Sequence, residues 1–390
     1  MRPKSPTHLK VVAGAPPTRI VHVVASRSDA VTVVPVFLAL QQDGDVGQLI
    51  VDAGGGSGEG LAGRVLTDLG VPHALVRAAP ADAHVAGDEV MAETAGAMLA
   101  ADSMLSELAP LVVLVSGSSD AALAWSLAAT KRGIPVARLE AGLRDRDWHG
   151  EREINRVLMD TLADALFATT ADASGNLTRE GIGANRVHLV GSTAVDSLRQ
   201  QLSAARRRAA GRARGLEPGR YVLATLRHTT SEGDDERIAR VVEALAELAQ
   251  SLPVVLPLTD GERERLAEMG DAHRLAAAGV RCEGPMAYIE SLSMQAAAGA
   301  IVTDSGTMQD EATALGVPCF TLRSMTERAI TLSHGTNALL GSDPRGLADV
   351  RLRPGGPTPC AIPLWDGRAA GRVAEVLLAG YAFERVARAS

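Results

Sequence analysis

The sequence predicts an α/β protein of two doubly wound parallel-sheet domains, and three observations carry that prediction. Short β-branched runs alternate with longer Ala- and Leu-rich stretches, the β-α-β rhythm of parallel strands joined by covering helices. The chain is 46% apolar but only 3% aromatic, so its cores are built from Val, Leu, Ile and Ala, as strands buried on both faces require. The rhythm pauses near Pro218-Gly219 and restarts, and 390 residues exceed one ordinary domain.

The first series of strands is expected at 20–25, 48–52, 111–115, 134–139, 165–169 and 187–190, with helical patterns such as 119–132 and 153–162 between them. The second series is expected at 221–226, 253–258, 299–303 and 318–322, with helices at 232–248, 261–278 and 307–315. The organisation expected is a loose tail at 1–18, a first domain at 19–203, a linker at 204–219, a second domain at 220–366 and a final helix at 367–390 that could pack back on the first domain. The arginines of 204–215 read as a solvated helix face. Two such domains place a ligand cleft between them.

Composition excludes several classes. A net charge of −7 without a long basic block argues against nucleic-acid binding. The three cysteines, Cys282, Cys319 and Cys360, are scattered and form no C-x-x-C pair, which argues against a disulfide framework or a structural zinc and fits a reducing cytoplasm. No apolar run is long enough to span a bilayer. No metal-ligand spacing appears among the nine histidines, and neither a dinucleotide-binding glycine fingerprint after a strand nor a Walker A motif is present. No metal and no cofactor is expected.

The strongest local chemistry is Asp304-Ser305-Gly306-Thr307, a small polar turn between a strand and a helix. Backbone N–H groups and the helix dipole favour a phosphate there, Ser305 adds a hydroxyl, and Gly306 permits close approach. Glu311, one helical turn further in, could accept from a ribose hydroxyl pair; a plain helix cap is the competing reading. The loop 323–328 leaves the next strand at the same edge. In the first half, Ser26-Arg27-Ser28-Asp29, Ser116-Gly117-Ser118-Ser119 and Glu140-Ala141-Gly142-Leu143-Arg144 each follow a strand, and three polar exits on one edge suggest a site wall.

Taken together, these segments resemble the non-hydrolysing UDP-N-acetylglucosamine 2-epimerase family, from about residue 20 to about residue 341. The specific parts are Pro135 to Arg144 (PVARLEAGLR), Glu153-Ile154-Asn155-Arg156, Val190 to Asp196 (VGSTAVD), Thr303-Asp304-Ser305-Gly306 with Gln309, Asp310 and Glu311, then Gly316-Val317-Pro318 and Thr326-Glu327-Arg328. The resemblance implies the GT-B fold, a UDP-sugar substrate held mainly by the second domain, and a homodimer. It implies UDP and diphosphate contacts from Arg27, Arg144, Ser305, Gly306, Thr307 and Glu311. The family reaction removes the C2 proton and expels UDP from C1, then adds UDP back with C2 inverted, which requires an acid, a base and stabilisation of the leaving diphosphate.

Glu140 keeps one family carboxylate, and Glu153 another. Ser118 stands where the family has an aspartate, Arg152 where it has a glutamate, Arg227 where it has its catalytic histidine, Thr307 where it has a second glycine, and Thr259 near a further histidine. Asp120, Glu151 and His228 lie one or two residues from these positions and are the candidate replacements. Three readings remain open on sequence: 2-epimerisation of a UDP-N-acetylhexosamine, transfer of the glycosyl group to an acceptor through the same site, and UDP-sugar binding without catalysis.

Overall fold

Alternation of side chains across each strand decides which residues enter which core. In the second sheet Val222, Ala224, Val254, Leu256, Ala300 and Val302 enter one buried cluster, while Leu223, Val255 and Ile301 enter another. A strand that is apolar on both faces needs helices on both, which is the doubly wound arrangement. The computed structural model describes residues 18–42, 46–54, 61–71, 75–77, 89–226, 235–341, 343–350, 352 and 360–389. Within these, the chain forms two compact units: residues 1–142, 148–193 and 368–390 make one, and residues 143–147 with 194–367 make the other.

The first unit runs β1 (Thr18–Val24), α1 (Arg27–Gln41), β2 (Gly47–Asp52), α2 (Leu61–Asp68), β3 (Leu75–Arg77), α3 (Glu89–Leu108), β4 (Val112–Val115), α4 (Asp120–Lys131), β5 (Val136–Ala141), α5 (Glu151–Leu162), β6 (Ala165–Ala168), α6 (Ala171–Arg179) and β7 (Val187–Leu189). Its strands are ordered β3-β2-β1-β4-β5-β6-β7, with every pairing parallel. The order reverses between β1 and β4, so the loops leaving those strands diverge at the carboxyl edge, where such sheets bind ligands.

The second unit runs α7 (Thr193–Arg208), α8 (Ala210–Ala213), β8 (Val222–Thr225), α9 (Asp235–Ala249), β9 (Val254–Pro257), α10 (Asp260–Glu268), α11 (Asp271–Ala277), β10 (Arg281–Glu283), α12 (Tyr288–Ala297), β11 (Ala300–Thr303), α13 (Gly306–Leu315), β12 (Cys319–Thr321), α14 (Ala329–Ser333) and β13 (Asn337–Leu339). Its order, β10-β9-β8-β11-β12-β13, reverses between β8 and β11. The last helix, α15 (Ala369–Ala389), contacts α1 of the first unit.

Two expectations differ from the structure for physical reasons. The helix expected over 261–278 is two helices, because Gly270 takes φ +76° at the N-cap of α11, a conformation that ends a right-handed helix. The stretch 204–219, read as a linker, is partly buried. Ala205, Ala210 and Leu216 lie in the core of the second unit with Tyr221 and Leu223, and the Ala210 N–H donates to Ser293 Oγ at 3.0 Å. Its Arg/Ala composition hid an amphipathic helix whose apolar face is mostly alanine. Strands β3, β10 and β13, three residues each, were not among those expected. The tail at 1–17 lies outside the described residues.

Gly142 marks where β5 hands the chain on. It has φ +79°, and a Cβ there would lie 2.2 Å from the Ala173 carbonyl oxygen. Its N–H donates to Asp160 at 2.9 Å and its carbonyl accepts from Asn176 at 2.8 Å. Gly142→Ala therefore combines backbone strain with a backbone overlap and should lower stability by about 2–4 kcal/mol, read as a lower urea midpoint for the first unit.

Candidate functional site

The carboxyl edge of the first sheet gathers its acidic groups at the β1/β4 reversal. Ser26 caps α1 by accepting the Asp29 N–H at 3.2 Å. Asp29, 4% exposed, turns its carboxylate back to accept the Ala25 N–H at 2.9 Å. A Cβ on Gly117, in the loop after β4, would lie 2.2 Å from Asp29 Oδ1, so only glycine allows this approach. Burial lifts the Asp29 carboxyl from its ordinary 3.8 to about 6; the hydrogen bonds from Ala25 and with Ser26 oppose this, and the Glu140 charge adds to it.

Glu140 is displayed by a defect in β5. Pairing with β6 slips between Leu139 and Ala141, and Glu140 takes φ +56°. A bulge with a left-handed non-glycine residue re-aims a side chain and costs about 1–3 kcal/mol of backbone strain, a combination that clusters at functional sites. The buried residues on either side hold it. Asp160 accepts Arg138 Nε at 3.2 Å and the Gly142 N–H at 2.9 Å.

Asp120 and Glu151, predicted as candidate replacements, meet each other. Asp120 opens α4 and Glu151 opens α5. Asp120 Oδ1 accepts Asn155 Nδ2 at 2.7 Å and Oδ2 accepts Thr94 Oγ1 at 3.1 Å. The two carboxyls interact, and a hydrogen bond between them shifts the two in opposite directions. Glu151 is raised by that bond and by partial burial. Asp120 is pushed up by burial but held below its ordinary value by the bonds from Asn155, Glu151 and Thr94. Asn155 also donates to the Ser118 carbonyl at 3.1 Å, which ties this pair to the β4 exit. Ser118 itself is half-buried and Arg152 is exposed. Glu153 is buried in an ion pair with Arg156 at 2.8 Å, which gives it a packing role. Arg27, the first residue of α1, is half-buried.

In the second unit the corresponding reversal holds the anion cradle. Thr225 and Thr303 hydroxyls hydrogen-bond at 2.7 Å across β8 and β11, and the Ser305 N–H donates to Thr303 Oγ1 at 3.0 Å. Ser305 is the N-cap residue of α13, yet its hydroxyl makes no capping bond. The competing reading of this turn as a plain side-chain cap therefore does not hold for Ser305. Gly306 begins the helix and Thr307 follows, 8% exposed. Glu311 is buried and accepts from Tyr288 Oη at 3.0 Å and Gln295 Nε2 at 2.8 Å. Glu311 is oriented by these partners.

Arg144 belongs to the segment 143–147 that is counted with the second unit, is 7% exposed, and donates to the Leu143 carbonyl at 2.8 Å. Thr259, near the position of a family histidine, caps α10 in a capping box with Glu262. Arg227 and His228 lie outside the described residues. Among the described residues, no group of three or more His, Cys, Asp or Glu could hold a metal ion, and no helix is long and apolar enough to cross a membrane. Sequence reasoning quoted Asp29 without giving it a role, because a Ser-x-x-Asp at a helix start reads as a capping pattern. Its burial against Gly117 depends on β1 and β4 lying side by side.

Two successive doubly wound domains with these strand exits define a GT-B protein. A family profile described as UDP-N-acetylglucosamine 2-epimerase matches residues 49–378, and the chain belongs to that family. The chain is 33% identical over 295 residues to the UDP-N-acetylglucosamine 2-epimerase of Methanocaldococcus jannaschii, covering 74% of this chain and 81% of that one. It is 36% identical over 236 residues to the UDP-2,3-diacetamido-2,3-dideoxy-D-glucuronate 2-epimerase of Pseudomonas aeruginosa, covering 60% and 64%. The crystal structure of the M. jannaschii UDP-GlcNAc 2-epimerase in complex with UDP-GlcNAc and UDP superposes with a TM-score of 0.82 at 27% identity, over 93% of this chain and 99% of that one.

The raised Asp29 carboxyl sets a pH signature. A folded-state pKa near 6 against 3.8 unfolded means that the neutral acid is the stabilised form. Its contribution is complete below pH 4 and is lost as pH rises through 6, by about 3 kcal/mol. Against Asp29→Asn, the wild-type chain should lose about that much stability between pH 4 and 7 in urea titrations; parallel pH profiles would contradict it.

Proposed function

We propose that the chain is a 2-epimerase of a UDP-N-acetylhexosamine, working by elimination and re-addition of UDP. The observation that carries this reading is the interacting Asp120–Glu151 carboxyl pair at the exits of a sheet that also carries Glu140, in a member of the 2-epimerase family. The family names attached to the relatives are epimerases of UDP-linked acetamido sugars, which sets the substrate class.

In the first half-reaction a base takes the C2 proton, the C1–O bond breaks, a C1=C2 double bond forms, and UDP leaves with the bonding pair. In the second, a UDP oxygen re-forms the C1 bond and an acid delivers a proton to the opposite face of C2. Such chemistry needs one carboxylate and one carboxylic acid at the same pH. Asp120, shifted below its ordinary value, and Glu151, shifted above it, suit those two roles, and Glu151 is exposed to water. Glu140 serves as the second carboxylate, and Ser118 contributes no proton chemistry. The leaving diphosphate is held by Ser305, Gly306 and Thr307 with the α13 dipole, the ribose by Glu311, with Arg27 and Arg144 as further cationic partners. Arg152, Arg227 and His228 complete the set of groups proposed at the reacting sugar. No cofactor or metal enters the reaction, and we place the enzyme in the cytoplasm as a homodimer.

Incubation with UDP-GlcNAc in D₂O should put deuterium at C2 of both epimers. Asp120→Asn and Glu151→Gln should each slow that exchange by about 10²–10⁴-fold, whereas Ser118→Ala should leave it within a few-fold. Exchange at the wild-type rate in both carboxyl variants would remove them from the mechanism. UDP release without exchange, dependent on an added acceptor, would replace epimerisation by transfer.

A further inference from the structure

The head of α13 already carries an anion from the protein itself. A Cβ on Gly306 would lie 2.2 Å from Glu327 Oε1, so the Glu327 carboxylate rests against the first helical residue, where backbone amides and the dipole attract negative charge. Its other oxygen accepts Arg323 Nη1 at 2.9 Å, and Arg328 Nε stands 3.8 Å from Oε1. Arg323 also reaches Asp145 at 3.3 Å, and Arg328 pairs with Asp310 at 2.6 Å. The Asp304 charge acts on Arg323 as well. All of these residues lie in the second unit.

We propose that Arg323 is a diphosphate-binding residue held in reserve by Glu327, whose carboxylate occupies the anion position at the head of α13 until the ligand's diphosphate displaces it. This inference rests on the reading of that cradle as the UDP site. The charges around Arg323 favour exchange over addition. Glu327, Asp145 and Asp304 all act on its guanidinium, so a diphosphate that arrived with Glu327 in place would meet three carboxylate charges already there. Withdrawal of Glu327 removes one of them and frees the face of Arg323 that it occupied. A guanidinium matches two phosphate oxygens in the same forked geometry with which it binds a carboxylate, and a diphosphate carries more charge to pair with it. Arg323 keeps a side-chain exposure of 23%, so solvent and ligand can reach it, whereas Arg328 is 6% exposed and fixed on Asp310. Arg328 therefore stays in place as a positioning residue while Arg323 changes partner. The glycine at 306 serves both states, because a side chain there would meet the carboxylate in one and the phosphate in the other.

The test is calorimetric titration of the full-length chain with UDP. Glu327→Gln keeps the side-chain volume and removes the competing charge; it should tighten UDP binding about tenfold, and Glu327→Ala should move affinity in the same direction. Arg323→Gln should weaken binding about tenfold, and adding Glu327→Gln to it should recover much less than Glu327→Gln gains alone, because part of the gain passes through the freed arginine. Unchanged or weaker binding in both Glu327 variants, with the wild type binding UDP, would overturn the exchange while leaving the UDP site intact. Failure of the wild-type chain to bind UDP would overturn the cradle assignment itself and the exchange with it.

Discussion

Asp160 grips the chain on both sides of Glu140, and the posture of the first unit's edge follows from that grip. One carboxylate oxygen takes the buried Arg138 guanidinium and the other takes the Gly142 N–H. Between these anchors the backbone bulges, and Glu140 is driven to positive φ. A left-handed glutamate survives only where its surroundings over-determine it, and Asp160, 1% exposed on α5, supplies the constraint. The same helix brings Asn155 to the Ser118 carbonyl and to Asp120, and Glu151 to Asp120. Helix α5 is thus a frame that holds the exits of β4 and β5 together, and its own position depends on a buried ion pair that would be costly to break from either end.

The two units use the same topology for different tasks. At the β1/β4 reversal the first unit gathers carboxyls and buries one of them, Asp29, deeply enough to raise it to about 6. At the β8/β11 reversal the second unit presents a helix head and a cap hydroxyl, and the neighbouring β12 exit adds two arginines. Proton transfer needs carboxyls whose affinities differ, and departure of a diphosphate needs fixed donors. A GT-B chain meets both needs by repeating one sheet plan with different side chains at its exits.

Much of the fold was legible because parallel strands leave a strong trace: Val-rich runs of four or more residues, each followed by a small polar turn. The family resemblance rested on the same turns, and the match over 49–378 agrees with it. What was illegible had little signal to give. Strands β3, β10 and β13 were missed, although β7 and β12, equally short, were expected within longer apolar runs. The alanine face of α7 looks solvated in composition, although Ala205 and Leu198 are fully buried. Gly270 looks like any helix glycine until its φ is known.

The sequence by itself determined the β-α-β alternation, the two-sheet class, the helix head at Gly306 and the residues absent from the family's acid/base set, because these depend on local pattern and on side-chain identity. Only the tertiary structure decided that Asp120 and Glu151 meet, that Asp29 lies buried against Gly117, and that Glu327 rests on the helix that begins at Gly306. Each of these joins residues from different strand exits, 21 to 88 positions apart. Such proximities are set by which strands are neighbours in the sheet, and a charge's pKa is set by what surrounds it in space rather than by what precedes it in the chain.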